Sequence, residues 1–340
     1  MKYVVGDYTR MGGPGVALIE RRSDDSLALL SATAGLQEPT WAQPASNGKA
    51  IYSLGNNAVE GENGGCAASY ERVGDALKLV SMRSTNGLAP CHMTESPDGR
   101  FLYVANYLGG SVAVFPIEGN ALGARVQLVR HEGHGPNEKR QESAHVHFTA
   151  FKPGTRQLFV VDLGIDAVMI YDQNPETGLL TLAERVNTPA GLGPRHLVFH
   201  GEDAIYLDYE MGGKVSLLRR VNGAWRIEQT LSTLPEEGYD GFNGVAAIRE
   251  YNGQIVVSNR GHNSLAFFNI LPDLRLERAG VFSVPGDFPR DFWMNADGTI
   301  LVANQESGDV RLLRRTEAGL ETIGEPLSIP GAVSVFPIAD

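Results

Sequence analysis

One short apolar string returns seven times along the chain: YVVGD (3–7), IYSLG (51–55), LYVAN (102–106), LFVVD (158–162), IYLDY (205–209), IVVSN (255–259) and ILVAN (300–304). The copies follow one another at intervals of 45 to 56 residues, and a period in that range signals a repeat architecture. An apolar run and a tight turn precede several copies, as at Ser96-Pro97-Asp98-Gly99-Arg100, Lys152-Pro153-Gly154 and Asn295-Ala296-Asp297-Gly298. Proline presets φ in such turns, and glycine supplies the positive φ they need. Downstream comes another β-rich string, for example SVAVFPI (111–117), AVMIYDQ (167–173), KVSLLRR (214–220), SLAFFNI (264–270) or DVRLLRR (309–315). A more polar string often closes the unit, as WRIEQTLS does at 225–232. Each unit is therefore four short strands. A lone four-stranded sheet cannot bury both faces, whereas seven stacked radially can.

The chain opens on a second-strand string and ends with IPGAVSVFPIAD (329–340), which reads as a first strand. Together the two ends complete one unit, closing the ring and hiding its sheet edges. The expected fold is all-β: a single domain over residues 1–340, a seven-bladed β-propeller of four-stranded antiparallel blades, with the N- and C-terminal strands sharing one blade.

Composition removes other classes. Forty glycines and eighteen prolines are spread over the whole length, which suits turns and argues against a helical bundle. There is no G-x-G-x-x-G and no Walker A loop. The two cysteines, Cys66 and Cys91, form no CxxC, which excludes a disulfide framework and a zinc finger. The net charge of −11 repels nucleic acid and anionic lipid, so neither nucleic acid nor membrane is expected as a partner. No apolar run approaches the roughly 18 residues of a membrane span, and MKYVVGDYTR shows no signal-peptide apolar region. A cytoplasmic protein is expected. A self-closed ring also predicts a monomer, and no motif calls for a metal or cofactor.

The inner strands of a propeller lead to a pocket at one end of its axis, so unusual polar residues there are the candidates. His145 and His147 lie two apart on one predicted strand and so share a face. Arg195 and His196 enter another inner strand. Glu210 follows IYLDY where other blades carry Asn106-Tyr107 or Asn304-Gln305, and Asn259-Arg260 holds that register in a further blade. Pro289-Arg290-Asp291 matches Pro194-Arg195, with Arg290 and Asp291 reading as a blade-to-blade ion pair. Cys91-His92 reads as a buried thiol beside a histidine at the pocket edge. Taken singly, each is as well explained as a satisfied core or loop group. As a set they make a locally positive pocket in an acidic protein, suited to a small anion, with guanidinium to hold charge and histidine or glutamate to move a proton. No G-x-S-x-G elbow or H-E-x-x-H pattern offers another chemistry.

SPDGRFLYVANY (96–107), QESAHVH (141–147), GPRHLVFH (193–200), SNRGHNSLAFF (258–268) and PRDFWMNADGTILVANQESGDV (289–310) resemble the seven-bladed lactonase family. That family includes propeller-type 6-phosphogluconolactonases and the fungal 3-carboxy-cis,cis-muconate lactonizing enzyme, and the likeness runs over nearly the whole chain. Carried over motif by motif, the resemblance implies His147, Arg195, Glu210 and Arg260 as catalytic residues. His145, His196, Asn106, Asn259 and Arg290 are the expected substrate-binding residues. The chain departs from the family pattern at Ser143, at Val245-Ala246-Ala247-Ile248 and at Tyr206-Leu207-Asp208-Tyr209-Glu210. The implied activity is hydrolysis of a small anionic sugar-acid lactone, foremost 6-phosphogluconolactone. A carboxymuconate-type cycloisomerase would use the same groups in reverse. A non-catalytic interaction propeller is the third reading, although no repeated Trp-Asp ending supports it.

Overall fold

The computed structural model describes residues 1–59, 61, 62 and 64–338. Seven antiparallel sheets carry nearly all of the described residues, and the one helical element among them is a short 3-10 turn at Thr9–Met11. Each recurring string forms the second strand of its sheet, from Lys2–Asp7 through Phe101–Asn106 and Ala204–Tyr209 to Ile300–Asn304. The innermost strands are Ala332–Ile338, Ala42–Pro44, Pro90–Glu95, Val146–Phe151, Pro194–His200, Gly244–Tyr251 and Pro289–Met294.

Ring closure follows from the packing. Seven apolar clusters each join two neighbouring sheets. Side-chain alternation divides every second strand between two clusters. Tyr3 and Val5 pack toward Leu301 and Leu312 of the last sheet in chain order, while Val4 packs toward Ile51 and Cys66 of the sheet on the other side. These strands are therefore apolar on both faces, which explains their unbroken hydrophobic runs. The terminal strand Ala332–Ile338 pairs with Lys2–Asp7, Val4 opposite Phe336 and Val5 opposite Val335. The propeller with its shared N- and C-terminal blade is thus as the repeat predicts. Among the described residues no helix is long and apolar enough to cross a membrane.

One irregularity positions the site. In six blades the inner strand carries an extra residue near its start relative to the second strand: at Cys91, at His147, within Arg195-His196, within Ala246-Ala247, at Arg290 and at Val333. A β-bulge of this kind bends the strand and re-aims a side chain. In two blades a second-strand side chain takes the backbone N–H exposed there: Asp208 Oδ1 accepts from His196 at 2.7 Å, and Ser258 Oγ from Ala247 at 2.9 Å.

Candidate active site

A cavity of about 360 Å³ opens at the end of the axis where the inner strands begin. Two equivalent registers line it. The bulge position contributes Cys91, His147 and Arg290, and the residue following the recurring string contributes Tyr8, Tyr107, Glu210 and Arg260. Arg140 reaches in from the segment between strands Gln127–Arg130 and Val146–Phe151, and Phe242 and Phe288 form part of the wall.

Glu210 is the hub. Its Oε2 accepts from Arg195 Nε at 2.9 Å and lies 2.9 Å from Arg260 Nη2 and 3.9 Å from His147 Nε2. Its Oε1 accepts from Arg140 Nη2 at 2.5 Å. Burial alone would push the carboxyl up, but Arg260, Arg195 and Arg140 reverse that and hold it well below the usual carboxylate range. Burial, reinforced by Arg195, drives His147 well below an ordinary histidine. At neutral pH the site therefore holds a carboxylate beside a neutral imidazole. Arg260, lowered to about 10 by burial, remains a cation.

The guanidiniums differ in what fixes them. Arg195 also donates to Ala246 O and to His196 Nε2; it is buried beneath Glu210 and does not line the cavity. Arg260 donates to the carbonyls of Gly244 at 3.1 Å and Val245 at 3.0 Å. Arg290 donates to Gln305 Oε1 at 3.2 Å and lies over the Tyr8 ring. Among the described residues it has no carboxylate within ion-pair distance, so its charge is open to a ligand.

The structure thus gathers His147, Arg195, Glu210, Arg260 and Arg290 around one end of the axis, but it moves other expected residues away. His145 does not share a face with His147. It precedes the strand, His147 is the bulge residue, and the two rings meet Tyr107 differently, His145 stacked at 4.6 Å and His147 edge-on at 5.5 Å. His145 is tied to Tyr107 O and Glu142 outside the cavity wall. His196 points into the channel below, among Trp41, His92 and Phe148. Asn106, the last residue of its strand, and Asn259, the last but one of its own, donate to Ser111 Oγ and Ser264 Oγ across the following turn, a fold-supporting bond, and neither lines the cavity. Arg290 does not pair with Asp291, whose partner is Arg249 of the adjacent blade at 2.7 Å. The Cys91-His92 reading is inverted: the bulge puts Cys91 on the cavity wall and His92 in the buried channel. Burial pushes the Cys91 thiol up to about 12, so it is not a nucleophile at neutral pH.

Sequence reasoning passed over Arg140, Tyr8, Phe242 and Phe288. Tyr8 and Tyr107 follow their strings as Glu210 follows IYLDY, so that register was a usable signal. Arg140 sits in the charged run NEKRQE (137–142), which carries no period. Among the described residues no group of three or more His, Cys, Asp or Glu side chains could hold a metal ion.

Known proteins match the chain over nearly its full length. The family model described as "Lactonase, 7-bladed beta-propeller" matches residues 2–337. A 6-phosphogluconolactonase of Bacillus subtilis is 32% identical, covering 99% of this chain and 97% of that protein. The solved structure of a periplasmic gluconolactonase of Pseudomonas aeruginosa superposes with a TM-score of 0.90 at 30% identity, over 99% of both chains. A solved Lactobacillus plantarum protein gives 0.89 at 29% identity over 98% of both. With a family model spanning almost every residue and a full-length relative at this identity, the chain belongs to the seven-bladed β-propeller lactonase family and is a lactonase.

Proposed function

We propose that this lactonase hydrolyses 6-phosphogluconolactone to 6-phosphogluconate. The observation that carries the reading is Glu210, a carboxylate held on the wall of a cavity that four cations serve: Arg140, Arg260 and Arg290 line it and Arg195 lies behind. A site with that excess of guanidinium favours a substrate that brings its own negative charge. The name of the B. subtilis relative supports the phosphorylated lactone. Such a highly charged sugar acid does not cross a bilayer unaided, which favours the cytoplasm, where phosphosugars are made.

In this mechanism the lactone carbonyl faces Arg260 and Arg290, whose N–H groups stabilise the oxyanion as water adds. Glu210 takes the proton of the attacking water, and His147 at 3.9 Å passes it to the ring oxygen as the C–O bond breaks. Arg195 keeps Glu210 in place without touching substrate. The test is turnover of 6-phosphogluconolactone by the purified protein, with Glu210→Gln and His147→Gln each lowering kcat by about 10²–10⁴. Absence of turnover by the wild-type protein would overturn the reading.

A further inference from the structure

Four side chains crowd the Glu210 carboxylate, but only one is free to leave. Arg195 and Arg260 are 4% and 7% exposed and are pinned to backbone carbonyls of the inner strands. His147, at its bulge, is 6% exposed. Arg140 is 39% exposed at the cavity mouth, and besides Glu210 its Nη2 donates only to the Tyr107 hydroxyl, at 3.2 Å. Among the described residues it alone occupies Oε1.

The backbone that carries Arg140 is well anchored. Asp162 clasps both ends of the 131–145 segment: its Oδ2 is 2.7 Å from His131 Nδ1, and its Oδ1 accepts the His145 N–H at 2.8 Å. Gln141 donates to Leu163 O at 2.8 Å in the middle. The Arg140 side chain can therefore swing while its loop stays in place.

We propose that Arg140 is an exchangeable partner of Glu210, drawn onto the anionic group of the arriving lactone, and that this exchange frees Oε1 to act as the base. The inference rests on the lactone-hydrolase reading above. A tightly paired carboxylate is a weak base; with Arg140 gone, Oε1 accepts the water proton as the new C–O bond forms at the carbonyl. That proton then goes to the ring oxygen as the ring C–O bond breaks, and Glu210 returns to its carboxylate form. The other charged or titratable groups facing Glu210 are Arg195, Arg260, Arg290, His147, Tyr107, Cys91 and Asp208, and none of them needs to move. Phosphate on the substrate would thereby raise kcat as well as affinity.

The experiment compares wild type with Arg140→Gln on 6-phosphogluconolactone and on unphosphorylated gluconolactone. Wild type is expected to prefer the phosphorylated lactone by more than about tenfold in kcat/KM, and Arg140→Gln to reduce that ratio below about threefold. The acid limb of kcat/KM, which reports the free enzyme, should rise by about one pH unit in Arg140→Gln because a cation has left the carboxylate. Calorimetry with inorganic phosphate gives a readout independent of turnover. Arg140→Gln should weaken phosphate binding about tenfold or more, whereas Glu210→Gln should tighten it by removing the competitor for Arg140. Glu210→Asp, which withdraws the carboxylate from Arg140, replaces it with the same expectation if Glu210→Gln does not fold. Equal loss on both lactones with an unmoved acid limb, or no tightening of phosphate in the Glu210 variant, overturns the exchange. If wild type hydrolyses neither lactone, the proposed function fails while the phosphate measurements still decide this one.

Discussion

Arg195 Nε donates to Glu210 Oε2 at 2.9 Å, yet only Glu210 reaches the cavity. The arginine sits behind the carboxylate with its fork divided between Glu210, Ala246 O and His196. Its work is orientation. Arg195→Lys keeps the charge and loses the fork, so Glu210 should drift by a fraction of an ångström. Misplacement of that size can lower kcat by about 10²-fold, with KM moving much less because the substrate does not touch Arg195. Steady-state kinetics separates the two: a KM rise with an unchanged kcat would place Arg195 among the substrate-binding groups instead.

The fold was legible because seven copies of one string, each buried on both faces, leave little else for the chain to do. The cavity was legible as far as register carried. Glu210 and Arg260 both follow their strings directly, and both line the wall. Asn106 and Asn259 stand one residue earlier, and in a strand a shift of one residue turns the side chain to the other side. The same slip separates His196 from Arg195. Alternation places His147 in the cavity but misplaces His145 beside it, because a bulge adds a residue that alternation cannot foresee. Arg140 was invisible for a different reason: its place is set by Asp162 and Gln141 holding an irregular loop, contacts that arise only after the blades assemble.

Phe242 is 62% exposed, yet its ring lies parallel to that of Phe288, with centroids 6.0 Å apart at the mouth of the cavity. An aromatic ring left this open contributes little to stability; it offers a face to the C–H side of a ligand. Phe242→Ala should change stability by less than about 0.5 kcal/mol while raising KM about three- to tenfold, the value of one aromatic contact. Thermal melting and initial rates check both halves. A large fall in melting temperature with KM unchanged would make Phe242 a packing residue.

Asp208 supplies a pH test of the scaffold beneath Glu210. It is fully buried; Oδ1 accepts the His196 N–H at 2.7 Å, and Oδ2 has no hydrogen-bond partner. Burial pushes its pKa up to about 7, with Arg195 opposing. The native state therefore binds this proton more tightly than the unfolded chain, whose carboxyl titrates near 3.8. Stability from this group is full below the unfolded value and falls as pH rises from about 4 to 7. A shift of that size corresponds to a loss on the order of 2–4 kcal/mol. Asp208→Asn keeps an acceptor for the His196 N–H and never ionises, so it should lack the part of the fall that Asp208 causes over that interval. Asp7, also raised to about 7 by burial, titrates in both proteins and cancels from the comparison. The melting temperature of Asp208→Asn minus that of wild type should thus be larger at pH 8 than at pH 5. The same offset at both pH values would show that Asp208 is already ionised in the folded protein at pH 5, its charge met by Arg195.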